Sequence, residues 1–325
     1  MKKFIAYALF AIVAGYLGAK FYIQYRTTKA VDEVIAALPP GIDVRYGSVS
    51  STIDGTLSVD DLVIKTPEFQ DEFVVGAVGI KLPSFFDILE LQTLPERVVR
   101  GANDIPDSVG VFVDEWLIDT NADYARDMWA DIEAARAASG KPPLDPSVDP
   151  VAFCIDAFGS SGLAALGASD LELSFDYKVE QLTESFLVSM GFDLKETYAL
   201  DIELEFDGRL KSVLGMGSPQ LTLIGFKLET RDERLMGLML ARCERFGVDA
   251  ETAKMAYFNS TIESLVDMGF VPDERISVPL KAGIDAGHKV ITITGQPPTP
   301  VDVSRISYYK PEDLPALLGV DLTTR

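Results

Sequence analysis

Several stretches of this chain alternate apolar and polar side chains with a period of two. Leu171, Leu173, Phe175 and Tyr177 interleave with Glu172, Ser174, Asp176 and Lys178. Phe186, Val188 and Met190 repeat the pattern. Tyr198, Leu200, Ile202, Leu204 and Phe206 then alternate with Asp201, Glu203, Glu205 and Asp207. Only an extended backbone sends successive side chains to opposite sides, so these stretches are strands. Strict alternation also means that one face packs and the other meets water, the pattern of an antiparallel sheet. The water face is acidic, which keeps the sheet soluble and discourages edge-to-edge pairing. Residues 221–228 supply a further strand.

The first half carries the same signal more weakly. Ile42, Val44 and Tyr46 alternate, as do Leu57 and Val59, and the phase then flips to Leu62 and Ile64. A flip across Asp60-Asp61 predicts a β-bulge there. Residues 73–80 and 109–118 complete the strands. Helices are expected over 27–38, 84–93, 124–138 and 151–158. Thr230 with Glu233 resembles a capping box for a helix carrying Leu235, Met239, Cys243 and Phe246. Asp249 caps the next helix, which ends at Gly269. A late strand over 289–294 and a short helix opened by Pro311 close the chain. The Pro-rich segment 140–150 is the clearest interruption. It separates an N-terminal α+β part, 27–139, from a C-terminal α+β part, 151–325.

Residues 1–26 differ from the rest. Lys2 and Lys3 precede a run without charge from Phe4 to Ala19. Sixteen residues fall short of a span, but counting through Tyr25 suffices if the Lys20 amine snorkels to the interface. Tyr16, Tyr22 and Tyr25 suit an aromatic belt, with Lys20 and Arg26 beside them. This predicts a single-pass inner-membrane anchor contacting the bilayer through residues 4–25. The two lysines place the N-terminus inside, and 27–325 then lie on the periplasmic side. A cleaved signal peptide is the competing reading, although Leu17 suits the outer cleavage position poorly. The fold expected is therefore α+β: an N-terminal transmembrane helix, then a curved antiparallel sheet with helices packed on one side.

Charge excludes one class of function. The chain holds 29 Lys+Arg and 50 Asp+Glu, and four of those cations lie in the first 26 residues. The remainder, with twice as many acids as bases, repels phosphate backbones, so nucleic acid is not expected as a partner.

Candidate chemistry is sparse. Cys154 and Cys243, the two cysteines, are expected to form a disulfide in an oxidising compartment. The alternative is two reduced cysteines serving as small core hydrophobes. His288 is the one histidine and sits at a turn, where an exposed side chain is expected. No nucleophile elbow, phosphate loop, calcium loop or zinc-ligand spacing occurs, so no cofactor, metal site or catalytic residue is assigned. Carboxylate pairs such as Asp60-Asp61 and Asp201/Glu203 are abundant but unspecific. Asn259-Ser-Thr261 matches a glycosylation sequon inside an expected helix.

The Lys-Lys start and apolar helix are followed by Val44-Arg-Tyr-Gly-Ser48 and by Gly55-x-Leu-x-Val-x-Asp-Leu-x-Ile64. This opening resembles bacterial envelope proteins of the AsmA-like type and related inner-membrane-anchored periplasmic families. The segment Thr294-Gly-Gln-Pro-Pro-Thr-Pro-Val301 is compatible with the latter. The resemblance implies an anchor, a curved periplasmic sheet and a role in lipid handling or envelope maintenance. It carries no catalytic residues. The expected function is thus a non-enzymatic, membrane-anchored envelope protein that handles lipids or other apolar ligands. The alternatives are a scaffold for another envelope protein and a carboxylate-based hydrolase.

Overall fold

The computed structural model describes residues 2–67, 71–90, 106–138, 144–156, 170–210, 221–267 and 269–325; for 2–16 the description is of the backbone. The chain opens with one unbroken helix, α1 (Lys2–Ala36). The helix expected over 27–38 is its C-terminal continuation. Its second half docks on the first strands of the sheet, β1 (Asp43–Arg45), β2 (Ser48–Ser51), β3 (Thr56–Lys65) and β4 (Glu72–Lys81). Ile23 is buried among Val49, Leu57 and Leu82, together with Phe85 and Ile88 of the short helix α2 (Phe85–Glu90). The Gln24 side-chain amide donates to the Val49 carbonyl at 2.8 Å, and the Tyr46 hydroxyl donates to the Asp32 carboxylate at 2.7 Å. No helix among the described residues is long and apolar enough to cross a membrane. The side chains of the uncharged run as far as Tyr16 lie outside the description.

Eight further strands follow: β5 (Ser108–Asp119), β6 (Asp170–Gln181), β7 (Ser185–Leu194), β8 (Tyr198–Asp207), β9 (Thr222–Asp232), β10 (Val290–Gly295), β11 (Val301–Asp302) and β12 (Val320–Thr324). All pairings are antiparallel, in one open sheet of order β1-β3-β4-β5-β6-β7-β8-β9-β10-β12, with β2 added on β3 and β11 on β9. The sheet runs straight across the Pro-rich interruption, because β5 and β6 on either side of it are hydrogen-bonded neighbours.

Residues directly opposite each other in an antiparallel pair project from the same face. The register therefore traces each face from strand to strand. Leu57, Ile80, Val111, Tyr177, Met190, Ile202, Leu228, Ile293 and Leu322 form one row from β3 to β12. Beside it run Val59, Val78, Val113, Phe175, Phe192 and Leu200. The opposite face presents Ser58, Gly79, Phe112, Asp176, Gly191, Asp201, Glu229, Thr292 and Thr323. One side of the sheet is apolar along its whole width and the other is predominantly polar.

The helices cover the apolar side. At one end α1 and α2 pack on Leu57, Val59, Ile80 and Val109. Helix α3 (Asp123–Ala138) sets Tyr124 against Phe73 and Ile118. At the other end lie α5 (Leu235–Arg245), α6 (Ala250–Asp267) and α7 (Glu274–Ala286), preceded in sequence by α4 (Pro150–Ile155). Between these two layers, on the central strands, Val111, Phe175 and Phe192 remain exposed. A last short helix, α8 (Leu314–Leu317), leads into β12.

Two local expectations are corrected. At Asp60-Asp61 the register of β3 on β4 does not slip: Asp60 faces Ala77 and Leu62 faces Val75. The phase flip arises because Asp61 adopts a left-handed backbone, φ 54°, a conformation that Asp tolerates. Glu115 on β5 does the same, φ 54°, and between them lies Gly76, where a Cβ would stand 2.7 Å from that of Glu115. A register slip does occur two strands further on, in β5 between Val113 and Trp116 against β6. Secondly, Thr230 lies within β9 and does not cap α5. The Asp232 carboxylate does so, accepting from the Met236 amide at 3.0 Å. Asp249 and Gly269 bound α6 as expected: Asp249 accepts from Thr252 N, and Gly269 takes φ 82°.

Because Ile23 is a core residue of the sheet domain, Ile23→Ala is expected to destabilise that domain by about 2–5 kcal/mol. Phe21→Ala, at an exposed position two residues away, should cost no more than about 0.5 kcal/mol. Denaturant unfolding of the full chain in detergent checks this; equal effects of the two would show that α1 is not part of the folded unit.

Candidate functional site

Where β8, β9, β10 and β12 present their apolar face to α5, α6 and α7, the two layers do not close completely. They leave between them a partly open cavity of about 590 Å³, within the roughly 300–1,000 Å³ typical of small-molecule sites. Its floor is the sheet: Leu200, Leu228, Ile291, Ile293 and Leu322. Its roof is Met236, Gly237 and Leu240 of α5, Tyr257, Thr261 and Leu265 of α6, and Leu280 and Ile284 of α7. Polar groups gather at Tyr198, Thr230, Asp232, Glu233, Arg234, Lys254, His288 and Lys289.

The sequence builds this space locally. Asp273 caps α7 by accepting from Arg275 N. Ile276, Leu280, Gly283 and Ile284 then recur on its buried face, and Gly287 ends it in a left-handed cap. A Cβ on Gly283 would stand 2.6 Å from the Thr324 methyl, so α7 lies closely along β12. A Cβ on Gly295 would overlap the Phe226 ring, which occupies that part of the apolar face. Close contact at these positions leaves the vacant volume further along, beneath α5 and α6.

The polar lining is held in defined states. Burial, reinforced by Tyr257 and Asp232, pushes the Tyr198 phenol up to about 12, and a hydrogen bond with Thr230 opposes this only in part. Burial likewise raises Tyr257. Both remain neutral hydroxyls at physiological pH. Burial raises Asp232 too, against the α5 backbone amides of Met236 and Leu235 and the nearby Lys289, which favour its carboxylate. His288 is exposed as expected, and its Nδ1 lies 2.9 Å from the Thr324 hydroxyl at the cavity's edge.

The roof is fastened from outside. Cys154 of α4 and Cys243 of α5 are bonded, as expected, closing a separation of 89 residues. They sit with Met239, Val248 and Ala253 in a buried cluster. The neighbouring Arg242 is 1% exposed; its guanidinium stacks 4.4 Å over the Phe153 ring and donates to the Asp156 carbonyl at 3.1 Å. Disulfide, cation–π contact and hydrogen bond together clamp α4 to the outer side of α5.

The remaining sequence candidates do not join this site. On α1, Tyr22, Tyr25 and Arg26 are exposed and Lys20 is partly so, with Arg26 5.9 Å over the Tyr22 ring; the side chain of Tyr16 lies outside the description. Asp60 accepts from the Ser48 and Ser58 hydroxyls. Asp201 is paired with Arg231 at 2.8 Å on the polar face. Asn259 lies within α6 and is exposed. Among the described residues no group of three or more His, Cys, Asp or Glu side chains is placed to hold a metal ion.

Sequence reasoning missed the cavity because it missed two of its walls, α7 and β12. For α7 the signal was present: an Asp cap, the Ile276–Leu280–Ile284 stripe and a closing glycine. Pro279 inside the helix masks it. For β12 five residues, Val320–Thr324, carry too short an alternation to stand out. No family model, curated protein or solved structure matches this chain.

Two outcomes are expected. Stability should hold through neutral pH and fall by on the order of 2–3 kcal/mol between about pH 10 and 12 from Tyr198 alone, because the unfolded phenol ionises first. Denaturant midpoints against pH check this, and Tyr198→Phe should flatten that part of the curve. Reducing the disulfide should cost about 4 kcal/mol, given the length of loop it closes. Calorimetry with and without reductant measures it, and an unchanged melting temperature contradicts the clamp.

Proposed function

We propose that this protein is a non-enzymatic, membrane-anchored envelope protein that holds an apolar ligand between its sheet and its helical roof. The observation that carries the reading is the 590 Å³ cavity, floored and roofed mainly by aliphatic side chains. A core of ordinary packing leaves few voids larger than a water molecule. A partly open cavity of this size, apolar inside and polar only at its rim, suits a hydrocarbon in its interior. Its size admits a single chain or a compact ring system; a two-chain bilayer phospholipid is too large to enter whole.

The placement at a membrane is part of the same proposal. Leu17, Phe21, Tyr22 and Tyr25 are all exposed on α1, at the level where Ile23 docks into the domain. Exposed aromatic residues at that level suit the headgroup region, with Lys20 and Arg26 at the bilayer's edge and the uncharged run before Lys20 inside it; the contact expected through residues 4–25 then stops short of Ile23 and Gln24, which the sheet domain holds. The disulfide supports an oxidising compartment for 27–325, on the periplasmic side of an inner membrane. Rigid attachment of α1 to β2 and β3 would then hold the sheet, curved in this reading, at a fixed distance from the lipid. The likeness to AsmA-like envelope proteins in residues 44–64 is consistent with lipid handling.

The full chain, purified in a mild nonionic detergent, is expected to retain an apolar molecule detectable by native mass spectrometry and organic extraction. Gly237→Leu should displace it, since a Cβ there meets no atom within 4 Å and the residue lines the cavity. The same change should raise stability by about 0.5–1 kcal/mol through helix propensity. Protein recovered without ligand, and indifferent to added apolar compounds, would overturn the reading.

A further inference from the structure

The cavity's rim departs from the charge of the domain around it. Beyond residue 26 the chain has twice as many acids as bases. Around the cavity the bases Arg234, Lys254 and Lys289, with His288, stand against Asp232 and Glu233. Of these two acids one is engaged, while Glu233 is exposed, and Glu196 lies on the neighbouring surface with Arg234 and Lys289. The Asp232 carboxylate accepts from the Met236 amide and is turned to the start of α5. Arg231, just outside, is occupied by Asp201, and the Asp285 carboxylate by Lys281 at 2.6 Å. Lys254 donates to the Asp285 carbonyl at 2.8 Å, a neutral acceptor that leaves its charge uncancelled. Among the described residues Arg234 and Lys289 make no ion-pair contact, although Lys289 is close enough to Asp232 to favour its carboxylate.

An apolar interior under a rim with three bases to two acids, in a domain where acids outnumber bases twofold, is complementary to one kind of molecule. We infer that the ligand is a single-chain amphiphile with an anionic head, its hydrocarbon lying along Leu228, Ile293 and Leu280 and its head held between Arg234 and Lys289. The inference rests on the apolar-ligand reading of the cavity and adds the charge of the head. Neutral Tyr198 and Tyr257 hydroxyls can donate to such a head without repelling it, because burial keeps both protonated. The acidic sheet face would at the same time keep anions from binding elsewhere on the domain. Carboxylate and phosphate heads share this chemistry, and the test separates them.

Hexadecanoate, hexadecyl phosphate, hexadecanol and hexadecyltrimethylammonium would each be titrated into the full chain in nonionic detergent, with binding followed by native mass spectrometry. The two anions are expected to bind about tenfold or more tightly than the alcohol, as one or two charge-assisted hydrogen bonds imply, and the ammonium weakest. Which anion binds more tightly identifies the head. In Arg234→Gln/Lys289→Gln the gap between anion and alcohol should shrink by about the same factor. The Gln variants remove no capping bond, since Arg234 makes none with its side chain. Equal affinity for alcohol and anion, or an unchanged gap in the double variant, overturns the anionic head while leaving the apolar cavity standing. If none of the four binds, the apolar reading itself fails, and the inference with it.

Discussion

The rest of the structure depends on register. Because Leu57, Ile80, Val111, Tyr177, Met190, Ile202, Leu228, Ile293 and Leu322 are paired neighbour to neighbour, a single apolar surface crosses the sheet from β3 to β12. A one-residue slip anywhere would transfer a strand's hydrophobic set to the polar side. The two described slips, between Val113 and Trp116 and between Glu205 and Phe206, lie where a strand has already contributed its central apolar residues. The helices cover the two ends of this face and leave Val111, Phe175 and Phe192 between them exposed. The α1 and α2 end is closely packed around Ile23, Phe85 and Ile88, whereas the α5–α7 end keeps a cavity.

That asymmetry follows from the side chains available. At the α1 end the covering residues are large and branched and lie directly on Leu57 and Ile80. At the other end α7 comes close to β12 through Gly283, while α5 enters above Leu228 with Met236, Gly237 and Leu240. Gly237 contributes no side chain where a leucine would fill space. An exposed glycine in the interior of a helix costs about 1 kcal/mol relative to alanine.

Much of the sheet was legible from residues 171–206, where alternation is strict and every strand appears in the structure with the expected faces. The disulfide was legible from two cysteines in a chain whose opening residues led to the expectation of an oxidising compartment, and the exposure of His288 from its turn. The phase flip at Asp60-Asp61 was legible as an event but not as a mechanism, because a left-handed Asp and a bulge leave the same trace in the pattern. The cavity was not legible at all. Alternation reports that a face is buried, and a fully packed face and one with a void beneath its helices need the same residues. Deciding between them requires the distance between layers, which Gly283 sets by bringing α7 against Thr324 of β12, a contact between segments remote in sequence.

The acidity of the chain gains its meaning from the same geometry. On the polar side of the sheet Asp176, Asp201 and Glu229 occupy a single row, and burial together with the Asp201 charge holds the Asp176 carboxyl above its ordinary range. Such crowding is mildly unfavourable to folding at neutral pH, so this face is not arranged for stability alone. Towards the β9–β10 end bases answer these acids, with Lys227 and Arg325 beside Glu229 and Arg231 on Asp201. Arg231 is drawn to the acidic side by Asp201, while Arg234, three residues later, stands at the cavity rim. The turn from β9 into α5, with Asp232 capping the helix between them, is what carries positive charge from one side to the other. Clamping α5 through Cys243 and Arg242 therefore bears on the α5 part of the roof and on Arg234 at that helix's start.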